Sequence, residues 1–154
     1  MGFTYAVSRE GFAPTVDASI LAGMTDAAAV NETNKISEIS IGGEATASAV
    51  NRYVLRRATT VGALPTAQTP AELSSSGPAA QTAWATTWGT EPITAALPAV
   101  WTYSMNAFGG IIRWAAAPGQ EIFSTGAVAA GQQVSLESAS GTSTISCQIL
   151  FEEV

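Results

Sequence analysis

The sequence predicts an all-β protein, on three observations. Segments in which large apolar and polar residues alternate recur from Phe3 to Phe151. Turns containing Gly or Pro separate them. Between Thr59 and Pro98, five prolines fall where a central strand or a long helix would otherwise run. A period of two places alternate side chains on opposite faces of an extended strand. Seven or eight short strands joined by such turns describe a sandwich or a barrel. A chain of 154 residues suits one domain, residues 1–154. At this size a domain buries roughly 70% of the surface that its unfolded chain exposes. No internal repeat or domain boundary divides it.

Taken in order, Phe3, Tyr5 and Val7 alternate with Thr4, Ala6 and Ser8 in a first strand that ends at Arg9-Glu10-Gly11. From Phe12 to Thr25, Val16, Ile20, Leu21 and Met24 have nearly helical spacing, but Gly23 and the Ala-rich run after it give no amphipathic face. That stretch reads as loop with a short strand or one helical turn. Lys35 to Ile41 is a strand, with Ile39 and Ile41 opposite Glu38 and Ser40, and Gly42-Gly43 mark a bulge or turn. Glu44 to Ala58 resumes the pattern: Tyr53 and Leu55 alternate with Arg52, Val54 and Arg56.

Thr59 to Pro98 reads as one long Pro/Thr-rich excursion. A loop of that length is uncommon in a compact domain unless it is functional. Disordered linkers are poor in aromatics, and this one holds Trp84 and Trp88. The excursion is therefore expected to be ordered, by packing on the sandwich or on a neighbouring subunit. Trp101, Tyr103 and Met105 then alternate with Thr102, Ser104 and Asn106, Gly109-Gly110 break the pattern, and Ile111, Ile112 and Trp114 continue it. Ala115 to Gly119 is a turn, Glu121 to Ser124 a short strand, and Gly126 to Gly131 another turn. Val134 and Leu136 alternate with Ser135 and Glu137 before a turn at Ser138 to Gly141. Last, Ile145, Cys147, Ile149 and Phe151 alternate with Thr144, Ser146, Gln148 and Glu152, and only Leu150 breaks the polar set. These two final segments read as an antiparallel hairpin, with the apolar face of the last strand in the core.

Composition removes several functions. Charged residues make up 12% of the chain and the formal net charge is −6, against about 25% charged residues in a typical domain. Nucleic acid is not an expected partner, because phosphate contacts need clustered Lys and Arg. Three of the six basic residues, Arg52, Arg56 and Arg57, do sit together. They read either as the polar face of a strand or as a small basic patch meeting an acidic partner. Mean hydropathy is +0.23, but the charge-free run Pro92 to Ile112 carries prolines, a Gly pair and hydroxyl residues, a poor membrane span. No basic region followed by an apolar core marks a secretory signal at Met1 to Ala6, and Ala6 departs from the myristoylation pattern. The sequon Asn31-Glu32-Thr33 is read as chance. High hydropathy with low charge fits a surface of Ala, Ser and Thr partly buried against other subunits.

Catalytic constellations are absent from the sequence. There is no histidine, which removes Ser-His-Asp and Cys-His catalysis and most zinc sites. No phosphate-cradling Gly loop or calcium loop appears. Glu152 and Glu153 are adjacent on a strand, so they point to opposite faces and cannot share a proton. No cofactor or metal is expected. Cys147 is alone, so no intrachain disulfide forms, and its place on an apolar face makes it a buried, inert thiol. Trp101 and Trp114 lie in strand patterns and are expected in the core. Trp84 and Trp88 read either as a cap on the core or as anchors for a partner.

Three segments carry a resemblance. They are Cys147-Gln148-Ile149-Leu150-Phe151-Glu152-Glu153, Leu55 to Gly62 with the following Pro65 to Pro70 run, and Arg113-Trp114 to Pro118-Gly119. Together they resemble the capsid decoration (cement) proteins of tailed bacteriophages. The resemblance implies a single-domain, jelly-roll-like antiparallel β-sandwich of about eight strands. It also implies a virion structural protein, not an enzyme, made in the host cytoplasm and held on the outer capsid surface. Its partners would be the major capsid protein and other copies of itself in a homotrimer, with no nucleic acid and no membrane. Partner contact is expected from Trp84 and Trp88, with Arg52, Arg56 and Arg57. The rival from another class is a carbohydrate-binding module or adhesin in which the two tryptophans stack on sugar rings. A lyase or hydrolase on the same scaffold is the third reading.

Overall fold

The computed structural model describes residues 2–25, 33–60, 62–94, 98–125 and 133–154. Among the described residues there are twelve strands and no helix. They are β1 (Phe3–Phe12), β2 (Ser19–Thr25), β3 (Thr33–Glu44), β4 (Val50–Arg57), β5 (Ala63–Gln68), β6 (Ala71–Glu72), β7 (Thr82–Thr90), β8 (Trp101–Asn106), β9 (Phe108–Ala115), β10 (Ile122–Thr125), β11 (Val134–Ser140) and β12 (Ile145–Glu153). They form two antiparallel sheets. The first runs β10-β3-β12-β1-β6, with β9 also on β3, and the second runs β5-β7-β2-β11-β4-β8. β9 and β10 share one edge of β3, β10 along Thr33 to Ile36 and β9 along Glu38 to Glu44.

With β5, β6 and β7 set aside, β1-β12-β3-β9/β10 faces β2-β11-β4-β8. The pairs β1 with β12, β2 with β11, β3 with β9 and β4 with β8 are then successive rungs of one long hairpin wound about the core. β3 with β12 and β4 with β11 close each sheet. This is the eight-strand jelly roll of two Greek keys. The Thr59 to Pro98 excursion is an insertion between its fourth and fifth strands. It widens the second sheet with β7 and β5 beyond β2, and lays the short β6 on β1.

The core lies between the sheets. β1 contributes Tyr5 and Val7, β3 contributes Ile36, Ile39 and Ile41, and β12 contributes Ile145, Cys147, Ile149 and Phe151, as its alternation predicts. The second sheet answers with Leu21, Tyr53, Leu55, Trp84, Trp101, Val134 and Leu136. Phe151 is the hub. Its ring stacks on Tyr5 at 5.5 Å and tilts against Trp84 at 5.2 Å.

Two expectations are corrected, and the alternative of a short strand or a helical turn before Thr25 is decided for the strand. β11 and β12 are not a hairpin: β11 pairs with β2 and β4 in one sheet, β12 with β1 and β3 in the other. Their apolar faces meet across the core instead of lying side by side. The ambiguous stretch before Thr25 contains a strand, β2, in which Ile20, Leu21 and Ala22 are all buried. Burial on both faces removes the alternation by which strands are read. The excursion holds three strands instead of loop, because its inward face is built largely from Thr and Ala around a single Trp84. The Gly126 to Gly131 turn and positions 31 and 32 of the sequon lie outside the described residues.

The chain changes sheets at Ala107, between β8 and β9, and two glycines make this corner possible. A Cβ on Gly43 would fall on the Ala107 carbonyl, and Gly109 has φ +69°. Gly43→Ala should therefore destabilise the fold by about 1–3 kcal/mol, as overpacking does. Gly42→Ala, where an added methyl meets nothing within 4 Å, should be neutral or slightly stabilising. Urea melts of the two variants check the contrast.

Candidate functional site

The three arginines of β4 do not converge. Arg52 is exposed on the outer face of the second sheet. Arg56 turns to Glu137 of β11, with Nη1 donating to Oε2 at 3.2 Å. Arg57 reaches across the sandwich and donates from Nη2 to the Phe123 carbonyl of β10 at 2.5 Å. The alternation along β4 sends Arg52 and Arg56 to one face and Arg57 to the other, and pairing with different strands separates them further.

Glu137 itself is 1% exposed, although it lies on the outward side of its sheet. Residues 91–94 cross over it. Thr94 Oγ1 donates to Glu137 Oε1 at 2.5 Å, Ser19 N–H donates to Glu91 Oε2 at 3.1 Å, and the Ser19 and Ser135 hydroxyls share a hydrogen bond of 2.7 Å. The crossing segment is tied down by Thr59 N–H to the Ile93 carbonyl and Ile93 N–H to the Thr60 carbonyl. Burial pushes the Glu137 carboxyl above its ordinary value, opposed by the Thr94 hydrogen bond and by the charge of Arg56. Enclosed in this way, the carboxylate fastens the insertion to the jelly roll and presents nothing to solvent.

Glu153 works similarly at the far end of β12. Its carboxylate accepts the backbone N–H groups of Gln81 and Thr82, at 3.1 and 2.7 Å, and lies 2.7 Å from Thr82 Oγ1. It thereby fixes the start of β7 against the first sheet. Glu152 points the other way, toward Lys35 at 3.6 Å, so the two carboxylates stand on opposite faces as the sequence predicts. At the opposite end, Arg9 donates from Nη1 to the Ile20 and Thr86 carbonyls at 3.1 and 2.7 Å and stacks over Phe12. Among the described residues, no group of His, Cys, Asp and Glu could hold a metal, and no helix is long and apolar enough to cross a membrane.

Trp84 is 1% exposed and packs between Gly23 and Phe151. It belongs to the core, so no face of it is open to a partner or a sugar ring. Trp88 is half-buried against Gly62. The sugar-stacking reading loses its paired platform, and the anchor reading keeps only Trp88. The feature that residue-by-residue reading missed lies elsewhere. Val50 is 69% exposed, Phe108 59% and Tyr103 48%, and all three fall on or beside β8. The charge-free run Pro92 to Ile112 was its signal.

No protein-family model matches the chain, and no curated protein matches it. Among solved structures, it is similar to a chain of the "nora virus structure", at 9% identity over 97% of this chain and 55% of that one, TM-score 0.34. The chain thus spans about half the length of that protein. It is also similar to a chain of the "KBV activated particle at acidic pH", at 8% identity over 97% of this chain and 68% of that one, TM-score 0.35. A third similar chain belongs to the Tobacco streak virus coat protein dimer, at 10% identity over 95% of this chain and 84% of that one, TM-score 0.19.

Proposed function

We propose that the protein is a structural component of a virion, a decoration or cement protein that binds the outside of a tailed-phage head and stabilises the shell. The observation that carries this reading is where the resembling segments fall. Cys147 to Glu153 lies in β12, Leu55 to Arg57 ends β4, and Arg113 to Ala115 ends β9. These three are framework strands of the jelly roll, while the Pro65 to Pro70 run of the resemblance lies in and just beyond β5 of the insertion. The major capsid protein is the partner in this reading. Each copy bridges adjacent capsid subunits, and the added interface resists the outward pressure of packaged DNA. The buried carboxylates fit such a role, since Glu137 and Glu153 tie separate elements together.

The test is addition of the purified chain to undecorated heads. The reading expects new density on the outer surface by electron microscopy and a shell that survives heating better than the bare one. Heads that gain neither would overturn it.

A further inference from the structure

Glu153, Asn34 and Ser124 stand side by side in one rung of the first sheet. Asn34 on β3 pairs with Glu153 on β12 and with Ser124 on β10, and all three are buried. Buried polar side chains need partners. Asn34 Nδ2 donates to Ser124 Oγ at 3.5 Å. From the other sheet comes Thr82, the first residue of β7, which is buried as well. Its Oγ1 lies 2.5 Å from Asn34 Oδ1 and 2.7 Å from Glu153 Oε1. A hydroxyl has one hydrogen, and both of these neighbours accept, so it cannot serve both. When the hydrogen points to Glu153, the lone pairs of Oγ1 face the Asn34 carboxamide.

These are the parts of an activated nucleophile: a hydroxyl, a carboxylate within reach of its proton, and an acyl group beside it. Glu153 is fixed in place, because the N–H groups of Gln81 and Thr82 hold its two oxygens at 3.1 and 2.7 Å. Opposite residues of adjacent strands have Cβ atoms about 5 Å apart, which puts the Asn34 amide nitrogen within the range of the same carboxylate. A carboxamide is a poor electrophile, so proximity must supply the rate. Well-oriented groups held together react as if at about 10⁵ M or more, and burial keeps out water that would compete. Thr94 and Glu137 give the contrast. They make a similar hydroxyl–carboxylate contact at 2.5 Å, but Arg56 bonds that carboxylate and no carboxamide contact accompanies it. The Thr94 hydroxyl has nothing to attack.

We propose that Thr82 and Asn34 join in an intramolecular ester cross-link, with Glu153 as the general base. Glu153 Oε1 takes the hydroxyl proton as Oγ1 attacks Asn34 Cγ. The Oγ1–Cγ bond forms and the Cγ–Nδ2 bond breaks, its electron pair leaving with the nitrogen. Glu153 hands the proton to that nitrogen, which departs as ammonia. The carboxylate ends as it began, and nothing is oxidised or reduced. Each molecule reacts once. The bond ties β7 in the second sheet to β3 in the first, so the start of this strand of the insertion is held covalently across the sandwich. The inference does not depend on the capsid reading.

Mass spectrometry of the folded full chain is the test. The parent should be lighter than its sequence by one ammonia. Trypsin cuts after Lys and Arg, which places Asn34 and Thr82 in separate peptides, residues 10–35 and 58–113. Those peptides should stay joined, and hydroxylamine, which cleaves esters, should separate them. Thr82→Val removes the nucleophile and Glu153→Gln the base, and both should keep the full mass and give no joined pair. Thr82→Ser retains a hydroxyl and should show the deficit. If Thr82→Val or Glu153→Gln does not fold, the hydroxylamine-sensitive pair in the parent identifies the bond directly. A folded parent of full mass overturns the inference. The amide is then turned so that Nδ2 donates to Thr82 Oγ1, and the four side chains form a closed hydrogen-bonded network. Ammonia lost within the Asn34 peptide alone overturns it too, as does a joined pair in folded Thr82→Val. Binding to undecorated heads is read separately, so either result there leaves this one standing.

Discussion

Replacing Trp84 by Ala should destabilise the protein by about 3–5 kcal/mol, the range for deleting a large aromatic side chain from a core. The indole is 1% exposed, lies on Gly23, and meets the Phe151 ring at 5.2 Å. Gly23 leaves no side chain to move into the space, because the indole already occupies the place of its missing Cβ. Phe151→Ala should have an effect of the same size, since it removes the ring that both Tyr5 and Trp84 pack against. The double variant should lose less than the two single losses added, by at least about 0.5 kcal/mol, because residues in contact share their interaction. Trp88→Ala should cost clearly less than either, as that side chain is half-buried at the edge of the insertion. Urea melts measure all four variants. A Trp84→Ala melt equal to the parent's would place the indole outside the core and return it to the surface as a partner anchor.

The contrast between the two tryptophans shows what the sequence could convey. The last strand was legible in full, because its core face is made of Ile, Cys and Phe and its other face is mostly polar. The first strand and β3 were legible for the same reason. β2 was legible only as one of two alternatives, because Ser19, Ile20, Leu21 and Ala22 are all buried and leave no alternation. β7 was not legible, because Ala and Thr make up most of it without contrast and only Trp84 and Trp88 stand out among them. The pairing of β11 with β12 was misread because period two fixes which side chains share a face, and says nothing of which strand lies alongside. Both patterns were correct, and the partners were wrong. Among the candidate contacts, Arg52, Arg56 and Arg57 are close in sequence, yet alternation and distant partners separate them. The β8 edge was visible only as an absence of charge, a signal that becomes a surface once topology puts β8 at the end of its sheet.

Alkaline pH should unfold the protein through Cys147. The thiol is 4% exposed between the sheets. Burial pushes its pKa from the ordinary value near 9 up to about 12, opposed by the charge of Arg9 and by a backbone hydrogen bond from Arg9. In the unfolded chain the thiol ionises near its ordinary value, while the folded chain keeps its proton. Stability from this group is therefore fully present below about pH 9 and falls between pH 9 and 12, where the folded state binds more protons than the unfolded one. The slope approaches about 1.4 kcal/mol per pH unit once the unfolded thiol is ionised, so the parent chain should lose about 2 kcal/mol from this group between pH 9 and 11. Cys147→Ala lacks the group and should lack that part of the decline. At neutral pH the variant should be less stable by about 1 kcal/mol, the effect of a small cavity. The two stability curves should therefore cross on the way to pH 11, with the Ala variant the more stable beyond the crossing. Burial also raises the pKa of Tyr53, which adds to the alkaline decline in the same direction. Tyr53 is present in both chains and Cys147 supplies only the last of the causes of its shift, so the difference between them reports mainly the thiol. Denaturant melts at neutral pH and at pH 11 make the comparison. Parallel curves, or a native thiol that reacts with a thiol reagent as fast as free cysteine, would mean that Cys147 does not face the core.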